Sequence, residues 1–307
     1  MIYTLTTNPA IDMNICTNGL EARKVNRTFD AVYTPNGKGL NVSFILHHFG
    51  IESKIMGFFG GFSGNYIVEE SRRRGFEVIP VAIDDITRIN IFLNDGTTEN
   101  KLVNDGDNVP REKQQEMLER IRNAADMTHL SISGSLPQGI EPSYYDEILA
   151  ICSERNVRII LDISSTKLRD LLHWNPLLIK PNDEELEQIF GICIKKESDI
   201  RKAFDFLHAE GAQNVLLTLG ERGAYFSSGS AVYFASARPI QLLSSACAGD
   251  AALAAFLSIW LGHPDHIEDA LKTMAAVGAN VAESNALGTL SRVDEYKNDI
   301  QVRRVVI

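Results

Sequence analysis

Ala246-Cys247-Ala248-Gly249-Asp250-Ala251-Ala252 and Asn36-Gly37-Lys38-Gly39-Leu40-Asn41-Val42 are the two stretches that set the fold and the chemistry open to this chain. Each is a turn of small residues opening onto an apolar helical run. A helix start leaves backbone N–H groups without intrahelical partners, and the helix dipole adds partial positive charge there, so each stretch can seat an anion. Asp250 adds a carboxylate at the second seat. The N–H groups of Cys247 through Asp250 would steady charge on a phosphoryl group in transfer, and the carboxylate would accept a hydroxyl proton. The alternative for Asp250 is an ordinary helix cap, a role aspartate often fills. At the first seat, glycines allow close backbone approach, Lys38 offers a point charge for a phosphate, and Asn41 can bond sugar hydroxyls. The alternative there is a loop with a solvated lysine.

Outward from these stretches, strand and helix patterns alternate. Strands are predicted at Met1–Thr6, Lys54–Met56, Met127–Ile132, Val157–Asp162, Leu177–Lys180 and Asn214–Leu219. Helices are predicted at Asn41–Phe49, Asn65–Arg74, Pro142–Arg155, Asp183–Phe190, Asp199–Glu210 and Ala251–Leu261. Such alternation implies a mainly parallel sheet covered on both faces, an α/β fold. Two segments, about 13–33 and 88–103, alternate apolar and polar residues without helices, as in Ile89-Asn90-Ile91-Phe92-Leu93 before the Asn94-Asp95-Gly96 turn. They predict hairpins of a small antiparallel sheet, placed as a lid over a site. With no repeat or flexible linker, residues 1–307 are expected to form one domain.

The chain has 307 residues, a net charge of −10 and 44% hydrophobic residues, enough for a sizeable core. An acidic surface argues against nucleic acid and anionic membrane as partners, and leaves phosphate binding to local lysines, arginines and helix starts. The apolar run Ala251–Leu261 is too short to span a bilayer, and Met1–Asp12 lacks the basic region of a signal peptide. Cys16, Cys152, Cys193 and Cys247 form no CxxC pair, so reduced thiols and a cytoplasmic location are expected. No Walker A or GxGxxG motif occurs, which removes the main support for P-loop and dinucleotide-binding folds.

Further candidates lie at strand ends, where open α/β sheets bind ligands. Asp12 can accept hydrogen bonds from a polyol or simply form a turn. Arg88 can clamp a phosphate in two-pronged fashion or sit solvated at a strand end. Lys180-Pro181-Asn182-Asp183-Glu184-Glu185 joins a strand to a helix. Glu185 there can meet Mg²⁺ directly or through water, or can answer the helix dipole with its acidic neighbours.

In order along the chain, these segments resemble the ribokinase-like PfkB sugar kinases, and most of all the branch with 1-phosphofructokinase and tagatose-6-phosphate kinase. The residues that carry the resemblance are Thr7-Asn8-Pro9-Ala10-Ile11-Asp12, Val25-Asn26-Arg27, Gly37-Lys38-Gly39-Leu40-Asn41-Val42, Gly57 through Gly64, Thr87-Arg88-Ile89-Asn90, Ser133-Gly134-Ser135-Leu136-Pro137, Leu161-Asp162-Ile163-Ser164, Ile179-Lys180-Pro181-Asn182 with Glu185, and Ala248-Gly249-Asp250. The resemblance implies a three-layer α/β/α fold with a small β lid that often forms a homodimer contact, and ATP and Mg²⁺ as co-substrates. It implies Asp250 as catalytic base and the Cys247, Ala248 and Gly249 backbone as anion hole. It also implies Asp12, Gly37, Lys38, Asn41, Arg88, Asn90 and Ser135 as sugar-phosphate contacts, with Arg27 reaching across to the other subunit's site. Lys180, Asn182, Glu185, Thr218, Gly220 and Gly223 match the nucleotide and Mg²⁺ side, and the Ala275–Asn280 helix suggests Asn280 near adenine.

Four departures from the family pattern stand out. Cys247 and Asn36 each occupy a usual glycine position, Ser165 replaces a glycine, and Glu99–Asn108 lacks the branch's Glu-Ile-Asn-Gly. If φ is positive at Cys247, its Cβ costs about 1 kcal/mol. If the helix start favours its thiolate, the site is expected to be oxidation-sensitive. The expected activity is phosphorylation of a ketohexose monophosphate. Thr87-Arg88-Ile89-Asn90 and Ser284–Thr289 put fructose 1-phosphate first, and Thr34-Pro35-Asn36-Gly37-Lys38 keeps tagatose 6-phosphate as the alternative. A kinase-derived binding or regulatory protein is the alternative of another class.

Overall fold

The computed structural model describes residues 1–305. The chain begins with β1 (Ile2–Thr6), β2 (Ala10–Thr17), β3 (Thr28–Asn36), α1 (Lys38–His48), β4 (Ser53–Gly60), α2 (Gly61–Arg73), β5 (Glu77–Ile83), β6 (Ile89–Asn94) and β7 (Glu99–Leu102). It continues with α3 (Arg111–Asn123), β8 (His129–Ser133), α4 (Tyr144–Glu154), β9 (Arg158–Asp162), α5 (Lys167–Leu171), β10 (Leu178–Ile179), α6 (Asp183–Phe190) and α7 (Glu197–Ala209). It ends with β11 (Val215–Thr218), β12 (Ala224–Ser227), β13 (Val232–Ala235), α8 (Ala248–Trp260), α9 (Ile267–Ala282), α10 (Val293–Lys297) and β14 (Val302–Val305).

The large sheet runs β14-β13-β12-β11-β10-β9-β8-β1-β4-β5. From β11 to β5 all neighbours are parallel, and the β12, β13 and β14 end is antiparallel. Its parallel strands are apolar on both sides because each side is covered. In β9, Ile159 and Leu161 join the core under α3 to α7, whereas Ile160 joins the core under α1, α8, α9 and α10. In β11, Val215 and Leu217 divide from Leu216 in the same way. This parity gives the α/β/α layering. Pro80 is accommodated because β5 is the sheet's edge.

The chain leaves β1 with β4 on one side and β8 on the other, so β1 is the topological switch point, and ligands of open α/β sheets bind beyond the strand ends at such a point. The small sheet springs from there, in the order β3-β2-β6-β7. It differs from the predicted antiparallel sheet: β2–β3 and β6–β7 are antiparallel hairpins, but β2 and β6 join them in parallel. The parallel pairing follows from β2 and β6 both starting at the switch-point end, where Arg88 O accepts from Ile11 N. The strands also extend past the expected lid bounds, from Ala10 and to Asn36, which brings Asp12 and Asn36 onto the lid.

Two helices begin three residues before their predicted starts. α1 starts at Lys38 and α8 at Ala248, so Lys38, Gly249 and Asp250 lie within first turns. α8 is apolar all round because it is sandwiched between sheet and α9. Its small residues permit a close crossing: a Cβ added at Gly278 of α9 would lie 3.5 Å from Ala252 Cβ.

Candidate active site

Gly37 caps α1 with φ 148°, and a Cβ there would come within 2.5 Å of Thr6 Cγ2. A Cβ on Gly39 would lie 2.4 Å from Thr6 Oγ1, and that hydroxyl accepts from Leu40 N at 3.0 Å. The close approach these glycines allow is therefore to β1. It pins the first turn of α1 against the central strand and brings Lys38 to the end of β9. There Lys38 Nζ stands 3.8 Å, and Lys180 Nζ 3.0 Å, from Asp162 Oδ1. Asp162 is 1% exposed and Lys180 6% exposed, so this is a buried ion cluster. Burial opposes the charge on Asp162, yet Lys180 and Lys38 together hold its carboxyl below the ordinary range. Asp162 is the main reason the Lys38 pKa is raised. The sequence reading assigned Asp162 no role, although its segment carried part of the resemblance.

Asp250 is not the helix cap. The N-cap of α8 is Cys247, in the left-handed region at φ 64°, and no side chain caps the helix. The buried Asp250 carboxylate accepts instead from Asn41 Nδ2, at 2.9 Å. Burial pushes its pKa up to about 6, opposed by Lys38 and reinforced by Asp162. The amides of Gly249 and Asp250 have no backbone acceptor among the described residues. A Cβ added at Gly249 would lie 3.6 Å from Lys180 Nζ, so the bare turn and the ammonium face each other. Free N–H groups, two lysines and a glycine opening suit a polyphosphate chain.

The positive φ expected at Cys247 is present. The reactive thiolate is not: burial pushes the thiol up to about 12, and Asp250 and Asp12 add to the shift. Desolvation and two carboxylates outweigh the helix start. Cys247→Gly relieves a left-handed Cβ worth about 1–2 kcal/mol, partly offset by glycine's freer unfolded chain. Its Tm is expected to be no lower than the parent's in thermal unfolding; a clear fall would mean that the Sγ contacts outweigh the strain.

The sugar-side candidates gather around Asp12. Its Oδ1 accepts from Asn90 Nδ2 at 2.9 Å, and its Oδ2 from Asn36 Nδ2. Asn36 Oδ1 accepts from Asn41 Nδ2 at 3.0 Å, completing a chain of amides from Asp12 to Asp250. Arg88 is not a solvated strand end. Its guanidinium donates to the backbone carbonyls of Asn8 (3.0 Å), Pro9 (3.4 Å) and Asn104 (2.8 Å), which leaves part of its donor fork for a ligand. Ser135 stands beside it, its Oγ accepting from Asn8 Nδ2 at 3.3 Å. Arg27 is exposed between β2 and β3 and is not brought to Asp250 within the chain.

On the other side of Lys180, Asn182 caps α6 in a full capping box: its side chain accepts from Glu185 N at 2.7 Å, and Glu185 Oε2 accepts from Asn182 N at 3.0 Å. Ser164 Oγ bonds the other Glu185 oxygen. Thr218 bridges to Asn182 across the strand ends. Gly220 (φ 57°) has open space around it, whereas a Cβ on Gly223 would lie 2.3 Å from Ala235 O, a packing requirement. Asn280 is buried in α9, where its amide oxygen accepts from Arg292 N at 3.1 Å and so holds the following loop. Among the described residues no three acidic, His or Cys side chains cluster to hold a metal. One carboxylate beside polyphosphate oxygens and waters is a normal Mg²⁺ environment, which Glu185 fits. Among the described residues, no helix is long and apolar enough to cross a membrane.

Residues 5–292 match the family model described as pfkB family carbohydrate kinase. The chain is 50% identical over 302 residues to a D-tagatose-1-phosphate kinase of Klebsiella oxytoca, covering 98% of this chain and 99% of the relative. It is 31% identical to a 1-phosphofructokinase of Bacillus subtilis, covering 99% of this chain and 100% of the relative. Phosphofructokinase-2 from Escherichia coli, solved in complex with substrates and products, superposes with a TM-score of 0.90 at 24% identity, covering 97% and 98% of the two chains.

Proposed function

The chain belongs to the pfkB family of carbohydrate kinases, and from that premise we propose that it transfers the γ-phosphoryl group of ATP to the 6-hydroxyl of a ketohexose 1-phosphate, giving the 1,6-bisphosphate and ADP. D-Tagatose 1-phosphate moves ahead of D-fructose 1-phosphate, because the 50% identical relative is named for the former and the 31% identical one for the latter. The observation that carries the chemistry is the buried Asp250 carboxylate, held by Asn41 in the first turn of a helix start that faces Lys180. In this reading the sugar hydroxyl gives its proton to Asp250 as its oxygen bonds to the γ-phosphorus and the bond to ADP breaks. The free amides at Gly249 and Asp250 take up charge on the equatorial oxygens, and Lys38 and Lys180 offset it from the side. Lys180, Asn182, Thr218 and Gly220 line the nucleotide side. Glu185 would hold Mg²⁺, which neutralises charge on the nucleotide phosphates. Asp12, Asn41 and Asn90 meet the sugar hydroxyls, and Arg88, with Ser135 nearby, takes the 1-phosphate.

The test is Mg²⁺-dependent ATP consumption with D-tagatose 1-phosphate, D-fructose 1-phosphate and D-tagatose 6-phosphate side by side. Turnover of a 1-phosphate that vanishes in Asp250→Ala supports the reading. Turnover of the 6-phosphate alone reverses the sugar's orientation in the site. Thermal stabilisation by the sugar phosphates without turnover favours the binding-protein alternative, which the strained Cys247 at the anion seat and the departure at Glu99–Asn108 support.

The same proposal treats the chain as one kinase unit that pairs through its lid. The outer strand β3 is exposed along most of its length, with Phe29 at 45%, Val32 at 54% and Tyr33 at 50% exposure, an apolar edge that a second copy would cover. Arg27 lies at the end of this edge, placed to reach the other copy. Val32→Asp is expected to turn dimer into monomer in sedimentation velocity; an unchanged sedimentation coefficient would place any contact elsewhere.

A further inference from the structure

Asn36 is the last residue of β3, and the chain cannot slide there because Gly37 crosses Thr6 with no room for a side chain. Its amide is fully spent. The oxygen accepts from Gly37 N and from Asn41 Nδ2, while the nitrogen donates to Asp12 Oδ2 and reaches Cys247 Sγ at 3.6 Å. Donors and acceptors are thus matched in only one orientation of the amide. Cys247 keeps a left-handed Cβ that glycine would avoid, and that side chain meets Asn36. Two of the departures from glycine, Asn36 and Cys247, are therefore one structural feature, 211 positions apart in the chain. Strain held at a site by a side chain that touches ligand-facing groups points to a use for that side chain.

Asp12 and Cys247 line the same crevice between the lid and the Ser244–Cys247 turn. Asp12 is held from two lid strands, by Asn36 on one oxygen and Asn90 on the other. A carboxylate offers about four lone-pair positions, so about two remain for a ligand, in directions fixed by the two amides. A hydroxyl that meets them is bonded. One of the opposite configuration leaves a buried acceptor unpaired, which is unfavourable.

We propose that the Asn36–Cys247 contact is a specificity element that selects between C4-epimeric ketohexose phosphates, by fixing the Asp12 carboxylate and closing the wall beside it. The inference rests on the ketohexose phosphate kinase reading. D-Tagatose and D-fructose 1-phosphates differ only in the direction of the C4 hydroxyl, so they are the pair this element would sort. Asn36 and Cys247 act here as positioning residues, through Asp12.

The experiment compares Asn36→Gly, Cys247→Gly and the double variant with the parent. It measures kcat/KM for both 1-phosphates at saturating ATP, and Kd for both by calorimetry without ATP. The tagatose-to-fructose ratio is expected to fall at least tenfold in Asn36→Gly, in kcat/KM and in Kd, with KM for ATP unchanged. Cys247→Gly, which relieves strain and tests the element even if the other variant misfolds, is expected to shift the ratio the same way. The double variant should shift it by less than the product of the two, because the side chains touch. A ratio within twofold of the parent's in Cys247→Gly or in a folded Asn36→Gly overturns the proposal, even if both rates fall. Absence of turnover in the parent overturns the kinase reading instead, and the Kd ratios then still decide whether this contact sorts the epimers.

Discussion

Asp250→Asn is expected to lower kcat by about 10²–10⁴-fold, the usual worth of a positioned general base, while leaving the KM for sugar near the parent's. The amide keeps the shape and can still meet Asn41, so the loss falls on proton acceptance rather than on binding. Burial is the largest cause of the raised pKa, about 6, on this carboxyl. As the proposed base, Asp250 works only when ionised, so log kcat/KM in the parent should rise with unit slope below pH about 6 and level above it. The stability effect has the opposite sign. A carboxyl whose folded-state pKa lies above its unfolded value holds its proton more tightly when folded, so stability is gained as pH falls through about 6 and is lost above it. At pH 7 the ionised Asp250 therefore burdens the fold, and the neutral variant should melt no lower than the parent. A variant that keeps more than a tenth of the activity, or that melts well below the parent, would make Asp250 a structural residue.

The layered fold was legible because β9 and β11 are too short and too uniformly apolar to be anything but covered on both faces, and because Gly50, Gly75 and Gly211 close helices where the periodicity stops. α3 escaped notice since Arg111–Asn123 is largely charged and buries only Gln114, Met117, Leu118 and Ile121. β12, β13 and β14 are four residues each, and their pairing is decided by distant partners rather than by local pattern. The parallel join of β2 and β6 was hidden for the same reason: alternation shows one wet face but carries no strand direction. In the site, Asp250 and Lys38 were readable because glycine turns ahead of apolar runs mark helix starts. Asp162 was not, because an aspartate ending a strand looks like a turn residue until two lysines from elsewhere close on it. Asn36 and Cys247 were visible as departures from a pattern, but their contact exists only in three dimensions.

Asp162→Asn is expected to destabilise the fold by about 3–5 kcal/mol, the cost of removing one partner from a buried ion cluster. In a chain of this length that corresponds to a fall in Tm on the order of 10 °C. Asp162 stands between two ammonium groups, 3.0 Å from Lys180 and 3.8 Å from Lys38, and is itself 1% exposed. An amide in its place keeps the volume and removes the one carboxylate, among the described residues, that pairs with both lysines. Two consequences separate this electrostatic role from simple packing. The charge on Asp162 is one of the causes that raise the Asp250 pKa, so its removal should move the acid limb of kcat/KM below the parent's, toward lower pH. Nucleotide phosphates bound between Lys38 and Lys180 would replace part of the missing negative charge, so ATP should raise the variant's Tm by more than it raises the parent's. A packing defect predicts neither. If the variant melts within about 2 °C of the parent with its acid limb unmoved, then the lysines are neutralised without Asp162. The phosphate seat would then owe its charge balance to Asp250 alone, which would leave the base more strongly tied to Lys38 and its pKa lower than burial implies.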